Sequence, residues 1–510
     1  MSERLRPRDL ALLAEETPTT PAHNATVEIF ECAESGFDHD RLVELIRDRI
    51  SFVPRYRQRL QQVPGRVANP VWVDDEHFDL AYHVRRSALP RPGTQDQLRE
   101  LVARIVSRPL DRTRPLWEIY LVEGLAGGRV ALLSKAHQVL VDGAETVDLG
   151  QLLLDVQPEP KVLGGDEWMP QRGPTSAAML VDAARDSLTD PRTVLDTARG
   201  TTGSLLRAAE ATAGTAGRIV GGLAGRRPQR DGALGGPLSQ QRRIVTVETR
   251  LQDYRKVRDV HGGTVNDVIL ATITGGLRAW LMTRDESLRG FRRIRAVVPV
   301  SVIDTELEAT SLGSQIAAHY VDLPVGEASP VVRLHQVSYS FQVHKETGRG
   351  VAANRLAGIA GFAPTTFHAI GSRVAAREVR RGYQLSVTNV PGPQSALYAA
   401  GARMVASYPV HPLVQGHPLA VGVTSYDGGV FYGITADRDQ LPDADLLGTC
   451  ISEALDELLD TANGGRSRAR RGRRTSGTSG PTGATGPTGA VTSGTPDRPD
   501  RPARPRGSRS

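Results

Sequence analysis

The sequence predicts a mixed α/β protein that folds as two lobes joined by a spacer. Its 510 residues exceed one ordinary domain of roughly 100–200 residues. Both halves alternate segments of strand and helix character, and repeated Pro and Gly over 156–175 separate them. We therefore expect an N-terminal lobe over 1–160, a helical interlobe linker over 161–239, a C-terminal lobe over 240–462 and a disordered tail over 463–510.

Hydrophobic periodicity predicts the main elements of the first lobe. Apolar residues recur at helical spacing from Arg41 to Val53 and again from Gln95 to Arg108. The alternating segment Trp117–Val122, a Gly-Gly pair and the apolar segment Val130–Leu133 predict two strands paired as a hairpin. A helical pattern follows over Glu145–Asp155, so the polar residues in between are expected at a strand-to-helix junction.

The second half repeats this alternation. Ala- and Leu-rich stretches over 177–223 predict two weakly amphipathic helices in the linker. A strand is expected over Val245–Val247, a helix over Val265–Leu281 and another strand over Ile294–Val300. The second lobe is therefore expected to resemble the first in its layers of sheet and helix.

Composition limits the classes of function. Hydrophobic residues make up 39% of the chain and charged residues 24%, and no run approaches the roughly 20 apolar residues of a membrane span. The N-terminus shows no secretory signal, so we expect a cytoplasmic protein whose membrane contact is peripheral. Cys32 and Cys450 have the spacing of neither a zinc site nor a disulfide framework, and no metal is expected.

Basic charge is concentrated in the C-terminal tail. Residues 466–510 carry 11 Arg and 2 Asp, and this net charge of +9 within a total of +6 leaves −3 for the rest of the chain. Specific nucleic-acid binding by the folded body is therefore not indicated. Past Ala462 the apolar residues are too few to offset the entropy lost on ordering, so the tail is expected to be disordered.

An ordered series of motifs resembles one protein family. Glu16–His23 opens the series, Pro109–Glu118 contains a Pro-Leu-Trp triplet, and His137–Gly143 reads HQVLVDG. Thr264–Val268 and Thr388–Pro393 continue it in the second half. These segments resemble the bacterial bifunctional wax ester synthase/diacylglycerol acyltransferase family of HHxxxDG acyltransferases, and the resemblance covers almost the whole chain before the tail.

The resemblance implies both a fold and a reaction. The fold would be two chloramphenicol-acetyltransferase-like lobes of the CoA-dependent acyltransferase superfamily, with a channel between them. The reaction would be direct acyl transfer from acyl-CoA, the co-substrate, to diacylglycerol or a long-chain alcohol, without a further cofactor. In such a transfer a neutral imidazole takes the hydroxyl proton as the oxygen attacks the thioester carbonyl. The partner surface would be a membrane or a lipid droplet.

The resemblance also marks the candidate site residues. The motif supplies four catalytic candidates: His137, Gln138, Asp142 and Gly143. Here Asp142 would anchor the loop through an Arg, and Gly143 would permit a tight turn. Six further residues are candidates for the substrate channel: Pro115, Leu116, Trp117, Asn266, Asp267 and Asn389.

Several of these channel candidates have a structural alternative. Core packing would account for the Pro-Leu-Trp triplet, since Trp supplies a large buried surface. A helix N-cap would account for Asn266. A tight turn is favoured for Asn389–Pro393, with tunnel shaping as its secondary role.

The chain departs from the family motif at one position. The pattern has two adjacent histidines, and Gln138 stands at the second, the position credited with proton abstraction. A carboxamide can orient a hydroxyl but does not titrate near neutrality. Three hypotheses follow: a family acyltransferase in which His137 supports slow transfer, a lipid- or acyl-CoA-binding homologue with little turnover, and an acyltransferase with another acceptor such as an amine.

Overall fold

Two six-stranded β-sheets organise the protein. The computed structural model describes residues 3–32, 36–140, 149–161, 164, 168–189, 234–284, 293–301, 316–346, 364–377 and 382–464. The strands are β1 His23–Glu31, β2 Gln58–Gln61, β3 Val71–Asp74, β4 Val84–Ala88, β5 Trp117–Leu125, β6 Arg129–His137, β7 Arg242–Arg250, β8 Ile294–Ser301, β9 Ile316–Leu323, β10 Leu385–Pro391, β11 Tyr398–Ala399, β12 Ala402–Val410, β13 Leu419–Tyr426 and β14 Gly429–Asp437. The helices are α1 Pro7–Glu15, α2 His39–Arg49, α3 Leu80–His83, α4 Gln95–Val106, α5 Leu149–Leu152, α6 Ser176–Thr189, α7 Leu251–His261, α8 Val265–Thr283, α9 Pro330–Glu346, α10 Pro364–Arg377 and α11 Ala444–Ala462.

The first sheet has the strand order β11-β12-β1-β6-β5-β4. Its neighbours pair antiparallel except β4 and β5, which are parallel. The antiparallel pair β5 and β6 confirms the predicted hairpin. Side chains of α2 and α4 join those of the sheet in one apolar core, so this lobe is stabilised mainly by burial of apolar surface.

Local sequence signals explain the helices of the first lobe. The N-cap Asp38 accepts a hydrogen bond from the Arg41 N–H, and Thr94 with Gln97 forms a capping box at the start of α4. Both predicted helices are confirmed. The first α-helix ends at Arg49, and two 3₁₀ turns follow it as far as Arg57. Of the helix predicted over 145–155, the structure contains α5; residues 141–148 lie outside the described part.

The second sheet has the strand order β7-β14-β13-β10-β8-β9, and the strands and helix predicted in this half are confirmed within β7, α8 and β8. Helix α8 is buried almost all round, between the sheet and helices α7, α9 and α11. At Gly276 a Cβ would lie 2.5 Å from Ile451 Cγ1 and 2.9 Å from Ile451 Cα. Only a glycine therefore lets α8 and α11 pack this closely.

The second half of the chain contributes two strands to the first sheet, which the predicted boundaries at 240 and 462 did not anticipate. Strands β11 and β12 come from the second half but lie in the first sheet, where β12 pairs with β1. The C-terminal end of β12 also packs against the second sheet, and a Cβ at Gly433 would fall 1.7 Å from the Pro409 carbonyl oxygen. The lobes are therefore joined by sheet-to-sheet contact as well as by the linker.

Helix α10 lies between the two lobes. It packs on β8, β9 and β10 of the second sheet and also contacts β1 and the 3₁₀ turn Gln138–Leu140 of the first lobe. On α10, Arg373 forms a buried ion pair with Asp9 of α1. This pair ties the two lobes together beside the motif turn.

Parts of the predicted organisation lie outside the described residues. The second helical stretch of the linker and the tail from 465 onward belong to those parts, while α6 matches the first stretch. Among the helices that the structure describes, none has both the length and the apolar content to cross a bilayer.

Candidate functional site

The motif turn is fixed by the ends of the neighbouring strands. His137 is the last residue of β6, and its N–H donates to the Leu116 carbonyl at 2.9 Å. The N–H of Gln138 donates to the Ala22 carbonyl at 2.9 Å. Helices α1 and α10 pack over the 3₁₀ turn Gln138–Leu140. The backbone of the motif is thus held from both sides, at the boundary between the lobes.

The two ring nitrogens of His137 differ in their contacts. Its Nδ1 accepts a hydrogen bond from the Val139 N–H at 3.1 Å, so in the neutral ring the proton resides on Nε2. That nitrogen makes no hydrogen bond within the described residues and lies 3.4 Å from Glu16 Oε2, which is an electrostatic contact. Because neither nitrogen offers a free lone pair in this arrangement, the geometry favours a positioning role for His137 over that of a base.

Glu16 is the residue that the sequence analysis missed at this site. Its carboxylate accepts hydrogen bonds from the Ala22 N–H at 2.9 Å and from the Arg112 guanidinium, and its side chain is 5% exposed. Burial alone would raise the pKa of Glu16, but His137, the Ala22 N–H and Arg112 together hold that pKa well below its ordinary value. Glu16 is therefore a carboxylate at neutral pH, facing the imidazole.

The sequence contained only an indirect signal for this contact. Glu16 and Arg112 both lie in quoted motif segments, but they are 96 residues apart. Nothing in periodicity or spacing indicates that the two segments meet at the end of β6. Their encounter follows from the pairing of β1 with β6, which sets His23 opposite His137.

The Gln138 side chain is buried beside His137. It is 2% exposed, and its Nε2 has no hydrogen-bond partner among the residues that the structure describes. A buried amide N–H without a partner costs free energy, so such groups often mark a functional contact. The carboxamide can donate to an oxygen atom of a bound molecule but cannot act as a base.

The Pro-Leu-Trp triplet is part of the core, as its structural alternative predicted. Trp117 is 1% exposed, its Nε1 donates to the Tyr56 carbonyl at 2.7 Å, and its ring stacks on His83 at 4.6 Å between centroids. Leu116 is fully buried and supplies the carbonyl that accepts from the His137 N–H. Pro115 is likewise buried. These residues support the motif turn from behind.

The structure brings Asn266 and Asn389 together. Asn389 Nδ2 donates to Asn266 Oδ1 at 2.9 Å. The N-cap alternative for Asn266 is wrong, because the cap of α8 is Thr264. The turn expected at Asn389–Pro393 is also wrong up to Pro391, since β10 runs to that residue and pairs with β13 in parallel. Strand hydrogen bonds outweigh the local turn preference of the Asn and Pro.

Of the three remaining candidates, Asp267 lies in the described part of the chain, whereas Asp142 and Gly143 do not. Asp267 serves the backbone: its carboxylate accepts from the Thr264 N–H at 2.9 Å in a capping box and from Ser338 Oγ at 2.9 Å. Asp142 and Gly143 lie outside the described residues, so the anchoring role of Asp142 stays a prediction. No group of three His, Cys, Asp or Glu side chains suited to a metal ion occurs within the described ranges.

A buried pair of imidazoles, His368 of α10 and His411 just after β12, lies next to β13. His368 Nε2 lies 2.6 Å from Thr424 Oγ1, and His411 Nδ1 lies 2.6 Å from Ser372 Oγ. Burial lowers the pKa of His411 to about 4, and burial together with His411 lowers that of His368 well below its ordinary value. Both rings are neutral at pH 7. Isolated histidines with no motif around them gave no sequence signal for this pair.

Comparison with known protein families shows which family this chain resembles along its length. The wax ester synthase/diacylglycerol acyltransferase catalytic domain matches residues 5–269, and the C-terminal domain of the same family matches residues 312–459. The Mycobacterium tuberculosis protein named probable diacylglycerol O-acyltransferase tgs1 is 32% identical over 436 residues, which is 85% of this chain and 91% of that protein. Another, named tgs3, is 37% identical over 265 residues, 51% of this chain and 96% of its own length.

Solved structures show the same fold. The wax ester synthase/diacylglycerol acyltransferase from Marinobacter aquaeolei VT8 superposes with a TM-score of 0.63 at 25% identity, covering 90% of this chain and all of that one. The first condensation domain of the calcium-dependent antibiotic synthetase has a TM-score of 0.50 at 14% identity, over 90% of this chain and 96% of that one, and shows the fold alone. Two family domains in order, full-length relatives and a shared two-lobed fold lead to one conclusion: this chain belongs to the wax ester synthase/diacylglycerol acyltransferase family.

Proposed function

We propose that this protein transfers the acyl group of a long-chain acyl-CoA to diacylglycerol, giving triacylglycerol, and that it also accepts long-chain alcohols. The observation that carries the proposal is the motif turn, buried at the lobe boundary and held at His137 and Gln138 by backbone bonds to two neighbouring strands. Family membership supplies the reaction class. The named activities of the mycobacterial relatives supply diacylglycerol as the acceptor.

The reaction needs little covalent chemistry from the protein. The acceptor oxygen bonds to the thioester carbonyl carbon, the C–S bond breaks, and the acceptor's proton ends on the released CoA sulfur. With Gln138 in place of an imidazole, the buried carboxamide would hold an oxygen of the acceptor or of the thioester through its N–H. The rate would then come mainly from holding two substrates together, which is itself a large effect.

His137 would act on the reaction through the backbone. Its contacts to Val139 and Glu16 fix the turn that carries Gln138. We therefore place His137 and Glu16 among the positioning residues. Slow but measurable turnover is the expected behaviour of such a site.

We further propose that the Arg-rich tail brings the enzyme to its lipid substrates. Each basic residue near an anionic membrane contributes up to about 1 kcal/mol, and residues 466–510 hold 11 Arg. Attachment at the surface would place diacylglycerol and long-chain alcohols, which partition into lipid, next to the protein.

A product assay tests the proposal. Purified protein would be incubated with palmitoyl-CoA and diacylglycerol, hexadecanol or a long-chain amine, and the products identified by mass spectrometry. We expect triacylglycerol with diacylglycerol and a smaller yield of wax ester with hexadecanol. Amide as the sole product would replace the proposed acceptor class. Binding of palmitoyl-CoA without any product would favour the non-catalytic homologue.

A further inference from the structure

The protein presents a basic groove between its two lobes that the motif turn does not account for. We infer that this groove, bounded by α4 and the start of β7, binds the 3′-phosphoadenosine diphosphate end of acyl-CoA. The inference rests on the proposed function, because it locates one substrate of that reaction.

The groove has the size and the position for such a ligand. Its volume is about 660 Å³. One wall is the outer face of α4 with Arg99 and Arg104, and the other is formed by the start of β7 and by Arg438 beyond β14. Because α4 belongs to the first lobe and packs directly on β7 of the second, a ligand here contacts both lobes.

The charges of the groove divide into paired and unpaired groups. Arg99 pairs with Asp96, and Arg243 pairs with Asp445. Arg104 and Arg438 are exposed, and their guanidinium groups have no hydrogen bond or ion pair with any residue in the described part of the chain.

Two unpaired guanidinium groups in one groove suit a ligand with several phosphates. A planar guanidinium binds a phosphate through two parallel hydrogen bonds, and the 3′-phosphate and diphosphate of CoA offer such partners. Glu100, also on the groove wall, is the one acidic group there without an ion pair among the described residues. Its carboxylate can accept a hydrogen bond from an adenosine hydroxyl or amino group, but its negative charge weakens the electrostatic attraction of the groove for phosphate.

Hydrogen bonds connect one residue of the groove to the chain segment that holds the motif turn. Arg242 lines the groove, its N–H donates to Ser107 Oγ at 3.1 Å, and its guanidinium donates to the Thr19 carbonyl. Three residues further along that segment, the Ala22 carbonyl accepts from the Gln138 N–H. The segment Thr19–Ala22 therefore links the wall of the groove to the backbone of the motif turn.

Another cavity of similar volume fits the ligand less well. Its volume is about 680 Å³, and it lies beside α2 and residues 158–161. Glu44, Asp48 and Glu159 line it against Arg41 and Lys161. Acidic groups outnumber basic ones there, which disfavours a ligand with several phosphates.

Binding experiments separate the groove from other basic surface. Calorimetric titration of the full-length protein with CoA would compare wild type with the double variant Arg104→Gln/Arg438→Gln. The matched control is Arg172→Gln/Arg255→Gln, which removes two exposed Arg that lie outside the groove. We expect CoA binding to weaken about tenfold or more in the groove variant and to stay within about twofold of wild type in the control. Thermal melts would verify that both variants are folded.

Two further ligands show which phosphate groups of CoA contribute to binding in the groove. Dephospho-CoA should bind wild type more weakly than CoA, and inorganic pyrophosphate should compete only at much higher concentration. Pyrophosphate competing as well as CoA would overturn the inference, as would equal CoA affinity in the groove and control variants. If the groove variant lost its binding to anionic vesicles but still bound CoA as wild type does, the groove would be assigned to lipid headgroups, which would also overturn the inference.

Turnover gives an independent readout. Removing uniform substrate binding raises KM for acyl-CoA while leaving kcat unchanged, and we expect this pattern for the groove variant. The two proposals fail separately. If wild type binds CoA through the groove but forms no product, only the proposed function is refuted. If the enzyme is active and the groove variant has an unchanged KM for acyl-CoA, only this inference is refuted.

Discussion

Restoring an imidazole with Gln138→His should raise the rate of acyl transfer. The backbone of this position is held by a 2.9 Å hydrogen bond to the Ala22 carbonyl, which the substitution leaves in place. The Nε2 of its side-chain amide has no hydrogen-bond partner among the described residues, so replacing it breaks no hydrogen bond of that nitrogen. The variant therefore adds a titratable group to a turn that is already ordered.

The size of the gain follows from the surroundings. General-base catalysis contributes roughly 10²–10⁴-fold to rate. Burial lowers the pKa of two other buried histidines, His23 and His411, so an imidazole at a similar depth would be a weak base that is neutral at pH 7. We therefore expect the lower end of the range, about 10²-fold in kcat, which corresponds to about 2.7 kcal/mol of transition-state stabilisation.

Single-turnover measurements with palmitoyl-CoA and diacylglycerol would test this expectation. Product would be quantified by mass spectrometry, with calorimetric titration to verify that acyl-CoA still binds. The companion variant Gln138→Ala should lose the carboxamide contact and fall below wild type. An unchanged rate for Gln138→His, with binding and thermal stability intact, would refute the reasoning and show that another group already accepts the proton.

Three further predictions follow. Glu16→Gln should lower Tm at neutral pH, and the difference in Tm from wild type should shrink as the pH falls below about 4.5. The reason is that a carboxyl whose folded-state pKa is depressed stabilises the fold only while it is ionised. Thermal melts at a series of pH values would measure this, and a difference that stays constant would contradict it. Arg373→Met should lower the free energy of unfolding, measured in urea, by roughly 3–5 kcal/mol, because it leaves the Asp9 carboxylate buried beside an apolar side chain. Adding Asp9→Leu should recover much of that loss. Purely additive effects of the two substitutions would argue against coupling between these residues. Truncation after Gly465 should leave Tm unchanged but reduce salt-sensitive sedimentation with anionic liposomes, and equal sedimentation of both forms would exclude the membrane role of the tail.

Local patterns predicted many of the elements well. The helices near Arg41 and Gln95, the hairpin that ends at His137, and the long helix from Val265 all formed where periodicity placed them. Each depends on side chains that face one way within a short segment, which is information that the segment itself contains. Prediction failed where a longer-range contact decided the outcome, as at Asn389, where pairing in the second sheet replaced the expected turn.

The site shows the same division. The motif letters marked His137 and Gln138 and revealed the missing second histidine without any structure. They could not show that Glu16 faces His137, because that contact joins residues 121 positions apart. Nor could they show that His137 Nδ1 accepts a hydrogen bond from the Val139 N–H, a contact that favours a positioning role for this ring.

The sequence by itself determined the family, the order of the motifs, the basic tail and the loss of an imidazole at position 138, since each is carried by residue identity along the chain. Tertiary structure alone decided that β12 crosses into the first sheet and that α10 lies against the motif turn. It also decided which Arg in the lobe-boundary groove remain unpaired. These outcomes depend on which distant segments meet as apolar surface is buried, and hydrophobic periodicity specifies which side of a segment is buried but not the partner that covers it.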